Sequence, residues 1–119
     1  MIKRPLNERF LEAVLTGRKT TTIRDKAWPL GKPVMLFCWT GKPYRSKQCD
    51  IAAVTVTSIR PIKITHREDG GMIYAYGHSI GERLHETEGF ASRSEMDEWF
   101  RPIVKKGHTV EKALMKFRK

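Results

Sequence analysis

The segment from Asp50 to His66 carries the longest β signal in the chain and limits the folds open to it. Ile51, Ala53, Thr55, Thr57 and Ile59 alternate with Ala52, Val54, Val56 and Ser58. Successive side chains of a strand point to opposite faces, and β-branched residues suit a pleated, half-buried surface. Pro61 interrupts the run, which predicts a bend or bulge there and continuation through Ile62 to Thr65. Val34 to Thr40 is nearly all apolar and reads as a central strand. Thr20 to Arg24 is a further β-rich stretch. Glu68-Asp69-Gly70-Gly71 has the chemistry of a tight turn, with Met72 to Tyr76 returning from it as a short strand.

Helical periods occupy the gaps. Asn7 can cap a helix from about Glu8 to Thr16, with Phe10, Leu11, Val14 and Leu15 on one face. Gly17 stands where a glycine beyond the last turn would stop it. A second helix is expected from about Ser79 to Thr87. A third starts at Ser92 or Ser94 and carries Met96, Trp99, Phe100 and Ile103 on one side, with Pro102 in its last turn or at a kink. Val110 to Phe117 is helical by propensity, yet Ala113, Met115 and Phe117 alternate as a strand would. The order predicts an α+β domain over residues 1–119: a small curled sheet or barrel flanked by about three helices.

The formal net charge of +10 on 119 residues predicts attraction to polyanions, above all nucleic acid. The cations are dispersed rather than gathered in a tail, so they belong to the surface of a folded body. No apolar run approaches the roughly 20 residues of a membrane span, and Met1-Ile2-Lys3-Arg4-Pro5 is not followed by the apolar stretch of a signal peptide. Cys38 and Cys49 form no CxxC or Cys/His cluster and read as reduced, partly buried thiols of a cytoplasmic protein. His66, His78, His85 and His108 lack metal spacing, so no metal site is expected.

The chemistry concentrates in Gly17-Arg18-Lys19-Thr20-Thr21-Thr22-Ile23-Arg24-Asp25, which joins the first helix to a strand. In an extended chain Thr20, Thr22 and Arg24 share one face, and Thr21 and Ile23 the other, with Ile23 directed to the core. Thr22 and Arg24 then face outward or into a cleft, with Lys19 at its mouth. A threonine hydroxyl is a poor nucleophile without a base in reach, and a lysine can be that base if burial or nearby cations lower its pKa. Arginine can hold an oxyanion or a phosphate. Spacing alone leaves this motif open to a second reading, a basic strand end that meets RNA backbone through Arg18, Thr20, Arg24 and Lys26. Glu86-Thr87-Glu88-Gly89-Phe90 places carboxylates at a helix end, against the dipole, where they can pair with Lys19 or Arg24 or move protons. Trp28, Tyr44, Tyr74 and Tyr76 lie near basic loops and could stack on a base, one or two of them lining a site; Trp39 and Trp99 sit in apolar patterns that read as core.

The run Gly17 to Arg24, preceded by an amphipathic helix, resembles the signature of the ASCH domain, most closely its small bacterial YqfB-like branch. Glu88-Gly89-Phe90 followed by a helix resembles the second motif of that family. The resemblance spans about Asn7 to Phe117; the stretch from His66 to Ser79 does not match the branch. It implies a PUA-like β-barrel closed by a C-terminal strand, so Val110 to Phe117 is expected as a strand. It also implies a cleft that receives RNA or a nucleoside. The implied activity is an amidohydrolase that removes the acyl group from the exocyclic amine of acetylated cytidine or related cytosines, with no metal or other cofactor. Lys19, Thr22 and Glu88 match its catalytic lysine, threonine and glutamate, with Glu86 open as the alternative carboxylate. Thr22 would attack the acyl carbonyl, Lys19 accept its proton, Glu88 shuttle a proton to the leaving amine, and Arg24 hold charge or the pyrimidine edge. Other ASCH relatives imply an RNA-binding module without catalysis, or a ribonuclease.

Overall fold

In the computed structural model, which describes Met1–Lys119, the chain runs β1 (Ile2–Pro5), α1 (Leu11–Leu15), β2 (Thr21–Arg24), β3 (Pro33–Trp39), β4 (Gln48–His66), β5 (Met72–Ala75), α2 (Leu84–Glu88), α3 (Arg93–Phe100) and β6 (Thr109–Arg118). A short 3-10 turn, Glu8–Phe10, leads into α1, and the Asn7 side chain caps it by accepting from the Arg9 N–H. Six strands form one mixed sheet in the order β1-β3-β4-β6-β2, with β5 beside the end of β4. β1 runs parallel to β3 and every other pairing is antiparallel.

β4 organises the sheet. Its 19 residues would reach roughly 60 Å if straight at about 3.3 Å per residue. The molecule is only 41 Å along its longest axis, so the strand has to bend and twist. It pairs with β3 over Gln48–Thr55, with β6 over Thr55–Thr65 and with β5 over Lys63–His66. Its register is irregular at two places, at Ile51 against β3 and between Val56 and Ser58 against β6, and not at the expected Pro61. Pro61 lies where β6 flanks β4 on one side and neither β3 nor β5 reaches the other. A missing N–H facing that unpaired edge breaks no ladder.

Val54, Val56, Ile62 and Ile64 of β4 turn inward with Val34 and Leu36 of β3 and Leu114, Met115 and Phe117 of β6, inside one core cluster of 21 buried residues. β6 lies between β4 and β2. Pairing on both edges overrides the helical propensity of its residues and makes Val110 to Phe117 a strand, as the resemblance implied. β1, from a charged and Pro-ended segment, was not foreseen; its parallel pairing with β3 makes it a strand.

The helix expected from Ser79 to Thr87 is shortened to Leu84–Glu88. Gly81 has φ +65, and a Cβ there would sit 2.8 Å from the Tyr74 carbonyl oxygen, so the chain turns sharply before the helix can start. α3 starts as the sequence indicates: the Ser92 hydroxyl accepts from the Glu95 N–H at 3.2 Å, and the Glu95 carboxylate accepts from the Ala91 N–H at 3.0 Å. Pro102 lies beyond its last residue, where it interrupts no helical bond. Of the two thiols, Cys38 is buried and Cys49, against expectation, is exposed, because β3 is covered where β4 starts at the surface. No helix is long and apolar enough to cross a membrane.

Candidate active site

Lys19 is fixed by the backbone on both sides. Its own N–H donates to the Ala13 carbonyl at 2.8 Å, and the Thr20 N–H donates to the Thr87 carbonyl at 2.8 Å. These bonds hold the segment between Gly17 and β2 against the ends of α1 and α2. Gly89 makes the approach possible. It ends α2 with φ +90, its N–H bonding to Glu86 and the Phe90 N–H to His85, the paired pattern of a glycine-terminated helix. A Cβ at Gly89 would stand 3.2 Å from the Cβ atoms of Ala13 and Lys19, so any other residue would press on the lysine.

Apart from the Tyr74 phenol, the Trp28 indole and the Cys38 thiol, Lys19, Thr22 and Glu88 are the only polar or charged residues in the buried set. The Lys19 Nζ donates to the Glu88 carbonyl at 2.8 Å, lies 3.8 Å from Glu88 Oε1, and stands 4.7 Å from the centre of the Phe10 ring. Burial pushes the Lys19 pKa below its ordinary value; attraction to Glu88 opposes the shift and repulsion from Arg24 adds to it. The other Glu88 oxygen accepts a very close hydrogen bond from the Thr21 hydroxyl, which also lies 3.1 Å from the Thr87 hydroxyl. Arg24 Nε donates to Thr22 Oγ1 at 3.1 Å, and its guanidinium carbon lies 4.9 Å from the Trp28 ring centre. Burial lowers the Arg24 pKa as well, offset in part by Glu88, yet a guanidinium stays cationic at any working pH.

Lys19, Thr22, Arg24 and Glu88 line one cavity of about 160 Å³, with Phe10, Phe90 and Trp99 among its walls. That is smaller than the roughly 300–1,000 Å³ of a site for a drug-sized ligand, so the cavity suits only a small group. The three rings pack edge to face or tilted, with centroids 5.1 to 6.1 Å apart. The Arg9 guanidinium lies 5.3 to 5.4 Å from all three ring centres and is itself paired with Glu95. No group of three or more His, Cys, Asp and Glu side chains that could hold a metal ion occurs.

Thr22 and Arg24 do share a face, as the alternation predicts, and that face opens into the cavity. Thr22 rather than Ile23 is the buried member of β2, while Ile23 is only partly buried and lines the cavity too. Of the two carboxylates, Glu88 meets Lys19, whereas Glu86 is exposed and paired with Arg83.

The remaining sequence candidates lie elsewhere. Arg18 is exposed and donates to the Gly89 carbonyl at 3.3 Å. Lys26 is exposed and does not line the cavity. Thr20 and Tyr76 line a second groove with Thr21, Arg60, Thr87 and Lys116. Trp28 is buried beneath Arg24, so it supports the cavity wall instead of stacking on a ligand. Tyr74 is fully buried, its hydroxyl donating to Asp97 at 2.7 Å, and is likewise closed to a base; that burial and bond push its pKa far above the usual phenol value. Sequence reasoning missed Arg9, Phe10, Phe90 and Trp99. Phe10 and Trp99 lay in apolar stripes at helical spacing, which a core helix gives equally well, and Phe90 stood out only within Glu88-Gly89-Phe90.

Comparison with protein-family models, with curated proteins and with solved structures found no match. The fold stands as a small α+β arrangement of a six-stranded mixed sheet and short helices, with a buried lysine, threonine and glutamate lining one cavity.

Proposed function

We propose that this protein hydrolyses the acylated exocyclic amine of a cytosine nucleoside, with acetylated cytidine as the type substrate. One observation carries the reading: a lysine, a threonine and a glutamate, the only buried polar residues besides the Tyr74 phenol, the Trp28 indole and the Cys38 thiol, all line one small cavity. Neutral Lys19 takes the proton of Thr22 as its hydroxyl attacks the acyl carbonyl. The new C–O bond leaves a tetrahedral oxyanion, and Arg24 stabilises that charge. The intermediate collapses with cleavage of the C–N bond. The amine leaves with a proton relayed through Glu88, and the acyl group stays on Thr22 as an ester. Water, deprotonated by the same pair, then releases a carboxylic acid and restores the hydroxyl. A lysine whose pKa is held down by burial is suited to the first step.

The ASCH resemblance gives the same three residues, and a PUA-like barrel is proposed with it. Leu6 and Asn7, just after β1, line the same cavity as Thr22, Ile23 and Arg24 of β2. The two ends of the strand order thus face one another across the cavity, which supports a curled, barrel-like sheet. A cytoplasmic setting agrees with two free thiols. The +10 charge favours a second reading, an RNA-binding module without catalysis.

The test is incubation of purified protein with acetylated cytidine in EDTA, followed by chromatography. The wild type is expected to yield cytidine and acetate, and Lys19→Ala and Thr22→Val to lose at least about 100-fold in kcat. No conversion by folded wild-type protein overturns the reading. A rate abolished by EDTA overturns the mechanism.

A further inference from the structure

A further groove, of about 500 Å³ and distinct from the one lined by Thr20 and Tyr76, adjoins the cavity and shares Leu6, Asn7 and Arg24 with it. Its far wall is the pair Trp39 and Tyr44. Tyr44 is 89% exposed and has φ +64, a backbone region that few residues other than glycine adopt. Its ring lies 5.1 Å from that of Trp39, and Trp39 in turn packs edge-on against Phe37 at 5.3 Å. A lone exposed aromatic needs no explanation. An exposed aromatic tilted at 49° against a second that is anchored from behind, beside a cavity, is a different object.

The loop that carries Tyr44 is built. The Thr40 N–H donates to the Lys47 carbonyl at 2.9 Å and the Arg45 N–H to the Lys42 carbonyl at 3.1 Å. The Ser46 hydroxyl accepts from the Gly41 N–H at 3.0 Å and donates to the Lys42 carbonyl at 2.8 Å. Lys42, Arg45 and Lys47 are exposed, and neither they nor Arg4 on β1 joins any of the ion pairs of the molecule. Cations without partners around an aromatic face form the pattern that binds a single strand: bases stack on rings and phosphates meet cations. Asn7 and Glu8 also line the groove, and amide and carboxylate side chains are of the kind that hydrogen-bond a ribose 2′-hydroxyl, a group that DNA lacks.

We infer that Trp39 and Tyr44 form a stacking subsite for the nucleotide next to the one held in the cavity, so the protein takes its target base from single-stranded RNA. The inference rests on the reading above for what happens in the cavity, and on the groove alone for the RNA. The cavity is too small for more than a base and its acyl group, so the sugar and backbone must lie outside it, where the groove starts.

The test uses a fluorescein-labelled, unmodified single-stranded RNA of about ten nucleotides, within the footprint of about 4–16 nucleotides common to such sites. Anisotropy is measured across salt for the wild type, Tyr44→Ala and Lys42→Gln/Arg45→Gln/Lys47→Gln, with DNA of the same sequence as a second probe. Tyr44 is so exposed that its removal leaves the fold intact, which circular dichroism verifies. Tyr44→Ala is expected to weaken RNA binding by roughly 5- to 100-fold with the salt slope unchanged. The triple variant is expected to flatten the slope by up to about 2. Unchanged affinity in Tyr44→Ala, or tighter binding of DNA than of RNA, overturns the inference. In parallel, Tyr44→Ala should keep the wild-type rate on free acetylated cytidine and lose activity on the same base within RNA. Tyr44-dependent RNA binding without hydrolysis of either substrate would sink the enzyme reading and leave this subsite standing. Hydrolysis of the free nucleoside with no RNA binding would do the reverse.

Discussion

Replacing Glu88 by Gln removes the carboxylate that faces a buried cation. The Lys19 and Glu88 side chains are each 4% exposed, with Nζ 3.8 Å from Oε1. Two unit charges at that distance attract by about 4 kcal/mol at an effective dielectric near 20. The amide still offers Thr21 an acceptor, and Lys19 keeps its bond to the residue 88 carbonyl, so the charge is the main loss. Lys19 can escape part of it by shedding its proton, which leaves a destabilisation of roughly 2–4 kcal/mol near neutral pH. The sign of the pH dependence follows. Burial already lowers the Lys19 pKa in the folded protein, and losing Glu88 lowers it further. The unfolded chain holds that proton up to about pH 10.4. Between the two values the unfolded state binds more protons, so stability rises with pH there by up to about 1.4 kcal/mol per unit. Urea unfolding of the wild type, Glu88→Gln, Lys19→Met and the double variant, near pH 7 and near pH 9.5, measures this. The Glu88→Gln deficit is expected to shrink at the higher pH, and adding Lys19→Met to recover part of it. A deficit equal at both pH values, or a double variant whose loss is the sum of the singles, would refute the ion-pair argument.

Further outcomes follow from the same geometry. If Lys19 is the base, kcat/KM rises with pH through a pKa below that of a free lysine, and a flat profile from about pH 6 to 10 excludes that role. Thr21→Val leaves one Glu88 oxygen without its donor and should lower kcat more than it raises KM, by roughly 5- to 100-fold; an unchanged kcat would show that Thr21 does not position the carboxylate. Gly89→Ala strains φ +90 and presses on Lys19, whereas Gly17→Ala strains φ +79 in open space. Each should lose about 1–2 kcal/mol for the backbone, but only Gly89→Ala should also lose activity, and equal activity in the two would contradict the packing described. Iodoacetamide under native conditions should modify Cys49 and spare Cys38, as mass spectrometry can verify.

The local features of this chain are legible in its sequence because their causes lie within a few residues. Side-chain alternation along Asp50 to His66 marks β4, Asn7 and Ser92 supply hydroxyl or amide caps, and Gly17 sits where a left-handed turn ends a helix. Alternation also puts Thr22 and Arg24 on one face of β2. Periodicity does not tell which partner a face will meet. Glu86 and Glu88 are equivalent by spacing; only a contact spanning 69 positions selects Glu88 for Lys19. Trp28 and Tyr74 looked as available as Tyr44 because all three neighbour basic residues, and only packing buried the first two and left the third open. β1 became a strand through its pairing with β3, and the Ser79 to Thr87 helix shrank because the Tyr74 carbonyl comes within contact of Gly81. By itself, then, the sequence determined β3, β4 and the starts of α1 and α3, with their caps, and the lysine–threonine motif, through local sterics and period. Tertiary structure decided which of those side chains lost their water. Burial is what lowers the Lys19 pKa and turns a basic strand end into a group able to act as a base.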